Sequence, residues 1–229
     1  MIDAVLFEFD AVIADTRFAR RRALMDTIKG DGITLTDDEY VECCAGLPAR
    51  AAIRAAFALR DVRIDDTGVE LAGMRADRRF ETLIETGLSL TEGAQAAIES
   101  LQGTTRLGIV SRAARRHIDQ ALTLAQLDHA FEFIIADDDA FPPKPSSAPY
   151  LGAIERLGRR RPVLPRNVVA LEDGPAGIRA AKTAGMRCAV VGSLPVHLAV
   201  DADALIPSLV GLTVRSLDAV TLGTHGAQR

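Results

Sequence analysis

Four short stretches hold the residue types that could do chemistry. Glu8-Phe9-Asp10 follows the apolar run Ala4 to Phe7, and Ser111-Arg112 follows Leu107 to Val110. A third run, Phe133 to Ala136, leads through Asp137, Asp138 and Asp139 to Pro143-Lys144-Pro145. Glu172-Asp173-Gly174 follows Val168 to Leu171. Taken singly, an Asp or Ser after such a run is an ordinary helix N-cap. Lys144 alone could be a solvated loop residue, and the Asp137–Asp139 triplet is a polar turn that stays outside the candidate site. Taken together, Glu8, Asp10, Glu172 and Asp173 would crowd four carboxylates, which must protonate, disperse or hold a cation. All-oxygen donors favour a hard ion, so Mg2+ is the expected metal.

A lysine and a hydroxyl beside that cluster suit a phosphate ester. A carboxylate nucleophile and a phosphate dianion repel by ~4 kcal/mol per charge pair at about 4 Å and an effective dielectric of about 20. A divalent ion offsets the repulsion, while Lys144 and Ser111 hold the phosphoryl oxygens. The chain has only three lysines (Lys29, Lys144 and Lys182) among 27 basic residues. A compact ammonium is a point charge where arginine brings a wide planar fork, which gives a reason to keep lysine at 144.

The elements that must position these residues read as alternating strands and helices. Short solid apolar runs, with Cys188 to Val191 as a fifth, suit strands buried on both faces of a parallel sheet. Helical stripes lie between the later runs: Ala94, Ala97, Ile98 and Leu101; Ile118, Ala121, Leu122 and Ala125; Tyr150, Ala153, Ile154 and Leu157. This alternation predicts an open α/β sheet, with ligands outside the carboxyl ends of its strands. The gap between the first two runs is too long for one crossover. It holds helical material from Phe18 to Ile28, a Thr36–Glu39 capping box, and a stripe of Ala49, Ala52, Ile53, Ala56 and Phe57 after Pro48. The expectation is a core of residues 1–14 and 87–229 with an α-helical cap inserted at 15–86.

Composition excludes other classes. With 229 residues, 48% hydrophobic, there is enough chain for a sizeable core. A net charge of −4 and the absence of tryptophan point away from nucleic acid and anionic membrane as partners. Cys43, Cys44 and Cys188 form neither a disulfide framework nor a zinc spacing, which fits a reducing cytoplasm. The N-terminus lacks the basic region of a secretory signal, and no apolar run approaches the ~20 residues of a spanning helix. His117, His129, His197 and His225 lie away from the strand ends.

AVLFEFDAVIADT, GIVSR, PPKPSSAPYL and ALEDGPAGIRAAKTAGM resemble, in order, the four motifs of the haloacid dehalogenase-like (HAD) hydrolases. The cap position and the last motif look most like the β-phosphoglucomutase and phosphoglycolate-phosphatase branch. The resemblance implies a Rossmann-like three-layer core with a helical cap, Mg2+ dependence, and phosphoryl transfer through an aspartyl-phosphate. By position, Glu8 falls at the nucleophile and Asp10 at the general acid/base, while Ser111 and Lys144 match the phosphoryl-binding pair. Glu8, the Asp10 backbone carbonyl and Asp173 match the metal ligands, with Glu172 binding the metal directly or supporting a ligand. Gly177 and Gly185 match structural glycines of the last motif.

The chain also departs from the family pattern. Glu8 stands where the family has aspartate, and a ~1 Å misplacement can cost about 10²-fold in rate. Ala11 replaces the glycine after the second carboxylate. Arg20 stands at the cap histidine of the mutases, and Arg50 is one position from a substrate-binding arginine. The implied function is a Mg2+-dependent phosphatase for a small phosphorylated metabolite. The alternatives are a relative that binds metal and phosphate without efficient turnover, or a phosphomutase of the same branch. The sequence is silent on substrate and oligomeric state.

Overall fold

A computed structural model describes residues 2–44, 47, 49–85 and 87–222. Pro48, Thr86 and His225, which figure in the sequence reading, lie outside the described residues. The chain divides into two compact units, one from the start to Asp15 and again from Ser89 onward, the other Thr16–Leu88.

The first unit is built on six strands: β1 (Ala4–Phe7), β2 (Arg106–Val110), β3 (Phe133–Ile135), β4 (Val168–Glu172), β5 (Arg187–Val191) and β6 (Ala204–Ile206). All pair in parallel, in the order β3-β2-β1-β4-β5-β6. That is the order of a Rossmann-type sheet, whose reversal point beside β1 is where ligands bind. The apolar runs form strands because both faces are covered. Leu6, Ala170 and Val190 pack with Tyr150, Leu157 and Ile178 in one cluster. The alternate residues Val5, Phe7, Ile109, Val169 and Leu171 are buried as well. The result is a three-layer α/β core.

The second unit is helical: α1 (Arg17–Gly30), α2 (Asp37–Cys43), α3 (Ala49–Ala58) and α4 (Asp66–Glu85). Ile28, Ile53, Ala56, Val69 and Ala72 share its core. The Thr36–Glu39 capping box forms in both directions, with Glu39 N–H donating to Thr36 Oγ1 at 3.2 Å and Thr36 N–H to Glu39 Oε2 at 2.7 Å. Phe18, read as the start of the first stripe, is exposed.

The remaining helices return to the first unit: α5 (Ala94–Gln102), α6 (Arg115–Leu124), α7 (Ala148–Gly158), α8 (Pro175–Thr183) and α9 (Val214–Leu222). The sequence reading leaves β6 unassigned for a physical reason. Its apolar run, Ala204-Leu205-Ile206, is only three residues long between Asp203 and Pro207, and Leu205 at its centre faces solvent on the sheet edge. Strand β5 begins one residue before its run, at a buried Arg187 whose guanidinium reaches Asp218 at 2.8 Å and Thr221 at 3.0 Å. No helix among the described residues is long and apolar enough to cross a membrane.

Candidate active site

The register of the sheet sets the site. Phe7 pairs with Ile109 on one side and Leu171 on the other. One residue further, Glu8 comes level with Val110 and Glu172, and its N–H is held by the Leu171 carbonyl at 2.9 Å. Ser111 begins immediately past β2, its N–H held by Ile135 at 2.9 Å. Parallel strands thus deliver an acid, a hydroxyl and a second acid to one edge.

Four of these side chains close into a buried network. Glu8 Oε2 accepts from Lys144 Nζ at 2.7 Å, and Glu8 Oε1 accepts from the Ser111 hydroxyl and from Phe9 N–H at 2.8 Å. Asp10 N–H adds a longer bond to the same oxygen, 3.3 Å. Lys144 spends its other two protons on the Val110 carbonyl at 2.7 Å and Glu172 Oε1 at 2.6 Å. An ammonium has three donors, so its capacity is full. Glu172 Oε1 also accepts from the Tyr150 hydroxyl. The other oxygen of Glu172 leaves no room at the first turn of α8. A Cβ on Gly177 would lie 1.9 Å from it, which is why that position is glycine.

Burial without partners would neutralise these groups, and the partners decide which way each moves. Burial pushes Glu8 up, but the Lys144 charge and the bonds from Lys144, Ser111 and Phe9 N–H outweigh it and bring the carboxyl below its ordinary value. Glu172 goes the other way: burial and the Glu8 charge outweigh Lys144 and hold it high. Burial alone would lower Lys144, yet the Glu172 and Glu8 charges raise it, so it stays an ammonium. Burial and the Glu172 charge raise Tyr150, leaving a neutral phenol that donates.

Asp173 stands apart from the network and is open to solvent. Crowding of its carboxyl, then the charges of Glu172, Glu8 and Asp10, push it up to about 7, against Lys144. Water reaches the residue, so the like-charge repulsion is the more telling part of that rise. Four carboxylates against one ammonium leave a surplus that a cation would relieve. The donors are hard oxygens, as Mg2+ requires. Among the described residues no three His, Cys, Asp or Glu side chains are grouped so as to hold a metal ion. The fit to Mg2+ rests on the chemistry of the donor set, since that ion takes one or two carboxylates and keeps several waters.

The turn after Asp10 keeps the shape its sequence position demands. Ala11 adopts φ +61°, a left-handed conformation in which glycine is the easier residue. Ala11 N–H bonds the Ala14 carbonyl at 2.8 Å, and Ile13 and Ala14 both return to the Phe9 carbonyl at 2.9 Å.

Several side chains fall elsewhere. Asp138 and Asp139 anchor a turn: Asp138 accepts from Arg115 N–H, and Asp139 pairs with Arg115 and Arg156. Lys182 holds Asp203 at 2.7 Å, and Lys29 is exposed. Arg50 is tied to Glu70 at 3.1 Å and Asp77 at 3.0 Å, and the Arg20 guanidinium lies 4.2 Å over the Phe80 ring. Gly185 takes φ +79° just past α8, as a helix-ending glycine does. The sequence reading missed Tyr150, counted there among apolar stripe residues. The available signal was chemical, because a buried tyrosine hydroxyl needs a partner.

Known proteins resemble this chain in sequence and fold. The chain is 32% identical over 200 residues to Protein CbbY of Cereibacter sphaeroides, covering 83% of this chain and 84% of that one. It is 30% identical over 210 residues, 90% of each chain, to the validoxylamine A 7'-phosphate phosphatase of Streptomyces hygroscopicus subsp. limoneus. Among solved structures, a variant of Rhodobacter sphaeroides CbbY in complex with xylulose-(1,5)bisphosphate superposes with a TM-score of 0.73. That match has 26% identity over 95% of this chain and 99% of that one. The family of haloacid dehalogenase-like hydrolases matches residues 5–191, a span that takes in Glu8, Ser111, Lys144 and Glu172. The chain therefore belongs to the haloacid dehalogenase-like hydrolases.

Proposed function

We propose that this protein is a Mg2+-dependent phosphoric monoester hydrolase acting on a small phosphorylated metabolite, with Glu8 in the nucleophile's place. One observation carries the reading: Lys144 and Ser111 converge on the Glu8 carboxylate at the carboxyl edge of the sheet. A relative named as a phosphatase supports the substrate class.

Lys144 keeps Glu8 ionised, so a Glu8 oxygen is ready to attack phosphorus. As that bond forms, the bond from phosphorus to the ester oxygen breaks, and Asp10 gives the leaving oxygen its proton. Asp10 then takes a proton from water as the water oxygen attacks the phosphorus of the Glu8 acyl-phosphate. Inorganic phosphate leaves and the Glu8 carboxylate returns. Ser111 and Lys144 give up their bonds to Glu8 as its oxygen turns to phosphorus, and then hold the phosphoryl oxygens. Glu8, the Asp10 backbone carbonyl and Asp173 would hold Mg2+, with Glu172 close by. When bound, Mg2+ neutralises phosphoryl charge that would otherwise repel the acids.

A second reading has its own observation. The longer side chain of Glu8 already occupies both phosphoryl-binding groups, which favours a protein that binds phosphate with little turnover. Hydrolysis of an aryl phosphate with Mg2+ by the parent, Glu8→Asp and Asp10→Asn separates the two. Parent activity that disappears in Asp10→Asn supports the phosphatase. A silent parent rescued by Glu8→Asp supports the second reading. Silence in all three across a panel of phosphate esters overturns the proposal.

A further inference from the structure

The helical unit carries a basic groove that the chemistry above leaves unused. It encloses about 330 Å³ between α1 and α4 and is lined by Asp26, Arg75, Arg78, Arg79, Thr82 and Leu83. Arg75, Arg78, Arg79 and Thr82 are spaced three, four and seven residues apart along α4, so they share one helical face.

The acids nearby are already engaged. Asp31 takes Arg75 with both oxygens, at 2.7 and 2.6 Å, and Asp26 faces Arg22 at 3.4 Å. Arg79 Nη1 donates to the Thr27 hydroxyl at 3.3 Å, and that hydroxyl donates to the Ala23 carbonyl at 2.7 Å. The contact orients the Arg79 fork without compensating its charge. Among the described residues neither Arg78 nor Arg79 forms an ion pair. Thr82 gives its proton to the Arg78 carbonyl at 3.1 Å, so it can only accept. Two uncompensated guanidinium groups on one concave wall make an anion site, and planar forks match phosphate geometry.

We propose that this groove binds a small phosphate-bearing anion between the Arg78 and Arg79 guanidinium groups. Its volume is at the lower end for a small-molecule site, which suits a compact ligand over an acyl chain or an amphipathic helix. The inference stands whether or not the protein is a phosphatase.

The probe is inorganic phosphate, titrated into the isotope-labelled full chain while arginine Nε–Hε signals are followed by NMR. The Arg78 and Arg79 signals should move along a saturating curve. Those of Arg54 and Arg60, each held by a carboxylate, should stay near their starting positions. In Arg78→Ala/Arg79→Ala the affinity read at Arg75 should fall roughly tenfold. Signals that do not move, or that drift linearly in step with Arg54, overturn the proposal. So does a well-folded double variant with unchanged affinity. If that variant does not fold, the parent titration still decides.

Discussion

The residue that organises the site is Lys144. Its ammonium joins Glu8, Glu172 and a strand carbonyl in a space where an unpaired charge could not persist. Tyr150 completes the arrangement by bonding Glu172 from behind. Tyr150→Phe keeps the ring and removes only the hydroxyl, leaving a buried carboxylate oxygen short of one donor. It should cost about 1–2 kcal/mol in stability, read from the denaturant midpoint. Ala11 offers a test of opposite sign. A left-handed L-residue costs about 1–2 kcal/mol, and glycine's looser unfolded chain returns about 0.5–1 kcal/mol of the gain. Ala11→Gly should therefore stabilise by roughly 0.5–1 kcal/mol. A lower melting temperature would contradict the strain. Glu8, Ser111 and Glu172 were legible in the sequence because each is a polar type standing just past, or at the end of, an apolar run, and Lys144 because lysine is scarce in this arginine-rich chain. Their partners were not. Which acids Lys144 bridges depends on ångström-scale register across three strands, and the 3–4 spacing of Tyr150 with Ala153 and Leu157 made it look apolar.

At the scale of elements, the runs that became β1 to β5 were legible because each is four uninterrupted apolar or glycine residues, the inner ones buried on both faces. The edge strand β6 hid because its run, Ala204 to Ile206, is one residue shorter and its centre, Leu205, is exposed. Helix α4 hid because its buried positions are mostly small, Ala72, Gly73 and Ala76 among them. The cap of α2 was legible, and it carries a pH prediction. The Arg60 hydrogen bond, then the Thr36 N–H, lower Glu39 to about 2 from an ordinary 4.5. A depressed acid adds stability that is fully present above its unfolded value and is lost as pH falls through its folded value. The melting temperature of the parent should thus fall more steeply between pH 4.5 and 2 than that of Glu39→Gln, measured by circular dichroism. Parallel curves would rule out Glu39 as a source of acid lability.

At the scale of the whole molecule, one unit is discontinuous and the other is inserted between its first and second strands. Strand β1 lies inside the sheet, so Glu8 meets residues more than a hundred positions later. The second unit lies in the over-long gap after the first run. The substrate was not legible, because its recognition depends on side-chain directions that periodicity does not encode. The central claim is that phosphoryl transfer runs through Glu8. The direct measurement mixes the protein with an aryl phosphate and Mg2+, quenches in acid within one turnover, and maps the phosphoryl group by peptide mass spectrometry. The account predicts one phosphoryl group on the Glu8 carboxylate, lost in Glu8→Gln. Turnover with the phosphoryl group on another residue, or undiminished turnover in Glu8→Gln, would contradict it.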